Sequence, residues 1–389
     1  MNKALTQIPV AKPVLDEREV EAVRRVVLSG WVTQGPEVAA FETEFASLVG
    51  APHACAVSNC TTALHLALRA VGVGAGDEVI TVSHSFIATA NAIRYCGAVP
   101  VFVDIEADGY NIDHQLIESA ITPRTKAVLC VHQLGMPCDL LPIMEIARRH
   151  SIPVIEDAAC ATGSEILWEG RWEKVGKPIG DIACFSFHPR KVVTTGDGGM
   201  LTTANADYDR KFKLWRQHGM SVSDTVRHGS RDVIYETYPE LGYNYRMTDL
   251  QAAIGREQLR RLPEIVDRRR RLAAQYSDQL ARIPGLETPI ERNWAHSNWQ
   301  SYCVRLPASA DQRSVMQALL DRGISTRRGV MNIHLEPAYA DEACSRRASS
   351  LDRSVAAQNN TIILPLFVQM GEADVTFVTD TLADVLRTA

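Results

Sequence analysis

The sequence predicts an α/β chain, with a mostly parallel seven-stranded sheet flanked by helices and a smaller C-terminal α+β domain. Three observations carry this. Short apolar, β-branched runs alternate with segments of helical period through the first half of the chain. The runs are nearly continuously apolar, as in strands covered on both faces. Beyond position 248 the strand signal thins, and a long run rich in Arg, Gln and Leu takes over.

In order, the expected strands are 53–57, 78–82, 99–104, 126–132, 152–157, 181–187 and 199–203. Helical patterns at 61–71, 86–95, 113–120 and 139–150 lie between most of them. Only a short lysine-bearing segment joins the last two strands. That is too little chain for a helical crossover, so one of them is expected to run antiparallel. A long helix over 248–283, a strand at 301–307 and helices at 311–323 and 373–387 complete the pattern. The expected division is a large domain, 1–247, and a small one, 248–389. Gly72-Val73-Gly74-Ala75-Gly76 follows a helix and precedes a strand, and reads as a turn. Arg268-Arg269-Arg270-Arg271 reads as a solvated helix face.

Composition narrows the function. A net charge of −5 gives no electrostatic reason to expect nucleic acid. No apolar run reaches membrane-spanning length, and the N-terminal segment lacks the apolar core of a signal peptide. A cytoplasmic location is the expectation. The nine cysteines form no CxxC pair and several lie in apolar runs, as buried free thiols do. The eleven histidines show no HExxH spacing, so no metal site is expected.

Ligands of open α/β sheets bind beyond the carboxyl ends of the strands. Several expected strands end in polar groups there. The strand at 152–157 ends in Glu156 and Asp157, and that at 181–187 leads into Lys191. The strand at 53–57 runs into Ser58-Asn59-Cys60-Thr61, which opens a helix; the one at 78–82 runs into Ser83-His84-Ser85-Phe86. A lysine, a carboxylate, a helix N-terminus with hydroxyls and an aromatic form the set that pyridoxal phosphate (PLP) requires. The amine binds its aldehyde, the carboxylate pairs with the ring nitrogen, the helix end holds the phosphate and the aromatic covers the ring. Taken singly, each residue has a plainer reading. Lys191 could be a loop charge, Asp157 a helix cap, Thr61 and Ser186 core hydroxyls, Phe86 a core side chain and Asn244 a turn residue.

The motifs in order decide among these readings. They are SGWVTQGPEVAAFE (29–42), SNCTTALHLAL (58–68), HSFIATANAI (84–93), PVFVDIE (100–106), EDAACATGSE (156–165), FSFHPRKVVTTGDGGM (185–200), GYNYRMTDLQAAIG (242–255) and LPLF (364–367). The set resembles the DegT/DnrJ/EryC1/StrS family of PLP-dependent sugar aminotransferases, of fold type I, over nearly the whole chain. The resemblance implies that Lys191 holds PLP and shuttles the proton, and that Asp157 partners the ring nitrogen. It places Thr61 and Ser186 on the phosphate and Phe86 on the ring. It also implies a homodimer with shared active sites, in which Asn244 reaches the neighbouring subunit's cofactor. Arg246 and Asp249 either hold that loop or touch ligand.

Two positions depart from the family pattern. Cys60 replaces the usual glycine of the phosphate loop, which demands ordinary backbone geometry or some strain. Cys160 replaces the histidine or glutamine near the PLP hydroxyl, and a thiol is a weak donor. The segment 168–178 is longer than usual and could alter the site mouth. The implied reaction takes an amino group from an amino acid, by resemblance glutamate, through pyridoxamine phosphate to a keto-sugar, nucleotide-linked by the same resemblance. Gly35, Arg327, Arg328 and His334 are the candidate sugar contacts. Two rivals stand beside this reading: another fold-type-I enzyme such as a lyase or desulfurase, and a non-catalytic regulatory protein that retains the fold.

Overall fold

The computed structural model describes residues 7–222, 224–341 and 344–388. The seven expected strands are all present: β1 (His53–Val57), β2 (Glu78–Val82), β3 (Val99–Val103), β4 (Thr125–Val131), β5 (Val154–Asp157), β8 (Ile182–Ser186) and β9 (Gly199–Thr203). Two further strands, β6 (Glu165–Trp168) and β7 (Arg171–Lys174), form a hairpin outside the main sheet. The main sheet has the order β1-β9-β8-β5-β4-β2-β3 and gains an eighth, edge strand, Arg346–Arg347, beside β3. That strand is two arginines long and carries no apolar pattern, so nothing local announced it. Only β9 is reversed; it pairs antiparallel with both β1 and β8. The lysine segment is thus a tight return, as its length requires.

Helices cover both faces. Cys60–Ala70 presents Leu64, Leu66, Ala67 and Leu68 to a core that includes Leu129, Ile155, Cys184 and Leu201. On the other face, Pro36–Val49 packs Phe41 and Phe45 against Phe185 and Phe187. The helix Asp249–Leu280 joins two cores. Its first half supplies Ala252, Leu259 and Leu262 to the core of Phe41 and Phe185. Its second half supplies Leu272, Ala273 and Tyr276 to a core built on Tyr302–Arg305, Thr361–Leu364 and Glu372–Thr388. No helix of the described residues is long and apolar enough to cross a membrane.

Local chemistry moves some boundaries. The helix expected at 86–95 begins only at Ala88, and 113–120 is a 3-10 turn, His114–Leu116, followed by Ile117–Ala120. The glycine-rich segment at 72–76 is a turn, with Gly72 and Gly76 at positive φ. The arginine run is not a solvated face. Arg269 is buried, and Arg268 and Arg270 spend hydrogen bonds on the carbonyls of Met370 and Ser297. Only Arg271, paired with Asp267 one turn away, stands well out in solvent. Helical rotation turns consecutive side chains about 100° apart, so a run of four cannot share one face. The segment 168–178 falls largely in the β6–β7 hairpin, whose sheet is completed by Ala295–His296, and none of it lines the cavity described below.

Candidate active site

The carboxyl ends of β1, β2, β4, β5 and β8 open on a cavity of about 710 Å³. Lys191, Asp157, Cys60, Thr61, Phe86, Cys160, Ser186, Arg327 and Arg328 all line it. Distant stretches of chain meet here because parallel strands place all their carboxyl ends on one rim.

Asp157 is the last residue of β5, and its neighbour Glu156 points to the opposite face, as strand alternation requires. The two carboxylates therefore have separate uses. Glu156 accepts from His132 Nε2 at 2.9 Å and from the Gly180 amide at 2.9 Å. His132 Nδ1 accepts from the Cys138 amide, which fixes the imidazole proton on Nε2. Asp157 instead faces the cavity. Its Oδ2 accepts from Thr89 Oγ1 at 2.9 Å, and its Oδ1 from the Ala159 amide at 3.2 Å. Thr89 has one proton, so the Ser85 hydroxyl donates to it at 2.8 Å. Burial pushes the Asp157 carboxyl up, against those hydrogen bonds and the Lys191 charge.

Lys191 sits in the tight return between β8 and β9, its amide bonded to the His188 carbonyl. Its Nζ donates to Cys160 Sγ at 3.0 Å. Burial pulls the Lys191 ammonium down, but the Cys160 sulfur and the Asp157 carboxylate outweigh it and the balance is a raised value.

The helix Cys60–Ala70 starts under a capping box: Asn59 accepts from the Thr62 amide and Thr62 Oγ1 from the Asn59 amide. This fixes the first turn and leaves the Cys60 and Thr61 amides aimed outward, the arrangement that binds an anion. Cys60 has ordinary helical geometry, since it is not among the residues at positive φ. The close approach falls to Gly199 instead. A Cβ there would lie 2.5 Å from the Asn59 carbonyl carbon and 2.8 Å from the Cys60 nitrogen. Phe86 is 63% exposed and free to cover a ring. Lysine, buried carboxylate, anion-binding helix end and uncovered aromatic on one cavity are a donor set that fits PLP.

Gly35, His334 and Asn244 do not line this cavity. Gly35 caps the helix Pro36–Val49, and its amide donates to Asp249, which also receives the Glu37 and Val38 amides. A Cβ at Gly35 would lie 2.0 Å from Trp31 Nε1. Asp249 thus holds the start of that helix. His334 is buried, with Nδ1 2.6 Å from Ser83 Oγ. Asn244 is exposed, beside Tyr245, whose carbonyl accepts from the Ser58 amide at the start of the anion-binding loop.

Sequence reading missed Thr89, His188, Arg190, Gln300 and Ser301, all on the cavity wall. Thr89 was findable: it lies one turn after Ser85 in the quoted HSFIATANAI motif. Gln300 and Ser301 had no local signal.

An open sheet with this lysine, carboxylate and helix end at its rim defines a fold-type-I PLP enzyme. The model of the DegT/DnrJ/EryC1/StrS aminotransferase family matches residues 13–383. The chain is 38% identical over 386 residues to the spore coat polysaccharide biosynthesis protein SpsC of Bacillus subtilis (strain 168), covering 98% of each. It is 40% identical over 387 residues to GDP-perosamine synthase of Caulobacter vibrioides, covering 98% of this chain and 99% of that one. Among solved structures, the aminotransferase TlmJ from Streptoalloteichus hindustanus matches with TM-score 0.89 at 34% identity, over 98% of this chain and 99% of that one. The chain belongs to the DegT/DnrJ/EryC1/StrS aminotransferase family and is a PLP-dependent sugar aminotransferase.

Proposed function

We propose that this enzyme moves an amino group from an amino acid, glutamate by family resemblance, to a nucleotide-linked keto-sugar, and that it works in the cytoplasm as a homodimer with shared sites. The observation that carries the reading is the convergence of Lys191 and buried Asp157 on one cavity large enough for cofactor and sugar together. The nucleotide link draws support from GDP-perosamine synthase, a relative whose name includes a nucleotide.

PLP, when bound, supplies an electron sink for the negative charge left at the donor α-carbon. The chain does the rest. Asp157 pairs with the ring nitrogen, and Thr89 and the Ala159 amide hold its carboxylate in position. The amides of Cys60 and Thr61, with the hydroxyls of Thr61 and Ser186, receive the phosphate. Phe86 covers the ring. Lys191 Nζ takes the proton from the donor α-carbon, with Cys160 Sγ beside it. Leu64, Val131 and Leu366 supply apolar wall and limit water. Arg327 and Arg328 suit a diphosphate or the donor's carboxylates. Gly35 and His334 act behind the wall, through the helix Pro36–Val49 and Ser83. Asn244, exposed beside the anion-binding loop, reaches the partner's phosphate.

The direct test is to load the enzyme with pyridoxamine phosphate and offer 3-, 4- and 6-keto sugars with and without a nucleotide. Return of the PLP absorbance with a nucleotide-linked sugar alone is the expected result. Equal return with the free sugar would remove the nucleotide from the proposal.

A further inference from the structure

Arg269 is a buried guanidinium with no acidic group among the described residues offsetting its burial. Its side chain is 6% exposed, and burial alone pulls it down to about 10. Such a group is costly to bury unless its protons are well used. Here they go to main chain: Nε donates to the Trp299 carbonyl at 2.8 Å and Nη2 to the Gln300 carbonyl at 2.6 Å.

The loop it grips is strained and well connected. Trp299 has φ +51, a region a bulky side chain enters only when its surroundings force it. On either side, Asn298 Nδ2 donates to the carbonyls of Cys160 and Thr162, both at 2.8 Å. Gln300 Nε2 donates to the carbonyl of Arg190, the residue before Lys191, at 3.0 Å. The Ser301 amide donates to the Leu134 carbonyl at 3.2 Å. Residues 298–301 therefore touch the chain segments that carry Cys160 and Lys191, and Gln300 and Ser301 line the cavity. The Ser301 hydroxyl donates to Gln300 Oε1 at 3.1 Å, so the two side chains form one polar unit.

A neutral amide and a hydroxyl match the hydroxyls of a sugar. The carboxylates of an amino-acid donor call for arginines, which the cavity offers elsewhere. We propose that Arg269 is a positioning residue for the acceptor half of the reaction: it holds loop 298–301 so that Gln300 and Ser301 stand where the keto-sugar is received. This rests on the reading of the Lys191 cavity as a keto-sugar site.

The test compares Arg269→Met, Arg269→Lys, Gln300→Ala and the double variant Arg269→Met with Gln300→Ala. In Arg269→Met, amide hydrogen exchange should quicken over 298–301. The keto-sugar KM should rise about tenfold, with the donor half-reaction within about twofold of the parent. Absorbance of the bound cofactor should not change. Gln300→Ala should raise the same KM, and the double variant should add little beyond either single change, because Arg269 acts through that loop. Arg269→Lys, which can keep only part of the clamp, should fall between parent and methionine variant, and it stands in if the methionine variant does not fold. Unchanged exchange over 298–301 overturns the clamp. Quickened exchange with an unchanged keto-sugar KM, or with equal losses in both half-reactions, overturns the acceptor role. A parent enzyme that accepts no keto-sugar overturns the substrate reading, while the exchange result still decides the clamp.

Discussion

Lys191 Nζ lies 3.0 Å from Cys160 Sγ, within hydrogen-bond reach. The thiol thus stands directly at the amine to which we assign the proton transfer. Its role as a weak hydrogen-bond partner is separable from a role as nucleophile. Cys160→Ser should keep measurable turnover, because a hydroxyl can also accept from Nζ. Cys160→His should shift the absorbance of the bound cofactor or its pH dependence. Total loss of activity in the serine variant with cofactor retained would point to thiol chemistry of the desulfurase kind.

Lys191→Ala should abolish turnover and leave the fold intact, since the Lys191 backbone bond to His188 does not need the side chain. Borohydride reduction of the parent followed by peptide mapping should label Lys191. Label on another lysine refutes the assignment.

Asp157→Asn should slow proton transfer at the donor α-carbon by about a hundredfold or more, through loss of the charge opposite the ring nitrogen. Thr89→Val, which removes only the donor to Oδ2, should have a smaller effect in the same direction. Single-turnover absorbance changes with glutamate measure both. A near-normal rate in Asp157→Asn counts against its role.

His84 gives a pH dependence of stability. It is fully buried, and burial pulls it down to about 4 against the opposing pull of the neighbouring Asn332 side chain. An unfolded histidine titrates near 6.5. Between those values the unfolded chain binds the extra proton. The contribution is therefore whole above about 6.5 and is lost as pH falls toward 4, on the order of 3 kcal/mol. Thermal unfolding followed from pH 7.5 to 4.5 should fall less steeply in His84→Phe than in the parent. Parallel curves would show that His84 is not the source.

Asn244 tests the shared site. Lys191→Ala and Asn244→Asp should each give an inactive homodimer, the second because a carboxylate would face the phosphate. If Asn244 serves the partner's site, a mixed dimer carries one doubly defective site and one intact site. Random pairing then restores about a quarter of the parent activity. If Asn244 serves its own chain, every site in the mixed dimer has one defect and nothing recovers. Verified mixed dimers without activity rule out the shared arrangement, provided the Asn244→Asp homodimer is itself inactive.

The sequence by itself determined the seven main strands, a reversal at one of the last two, and the rim positions of Lys191, Asp157 and Thr61. Each of these is a local property. Apolar runs mark strands, a connection too short for a crossover forces a reversal, and strand ends fix where Lys191, Asp157 and Thr61 stand. Tertiary structure alone decided the rest. Glu156 and Asp157 are adjacent and chemically alike; the family resemblance singles out Asp157, but only packing shows that Glu156 is spent on His132 and the Gly180 amide. The arginine run looks solvated in one dimension, but the carbonyls that Arg269 binds lie 30 and 31 residues away. Gln300 carries no motif and reaches the wall because a strained loop is held there from three sides. Hydrogen bonds between residues far apart in sequence leave no periodic trace, so the support behind the site became visible only when the chain was folded.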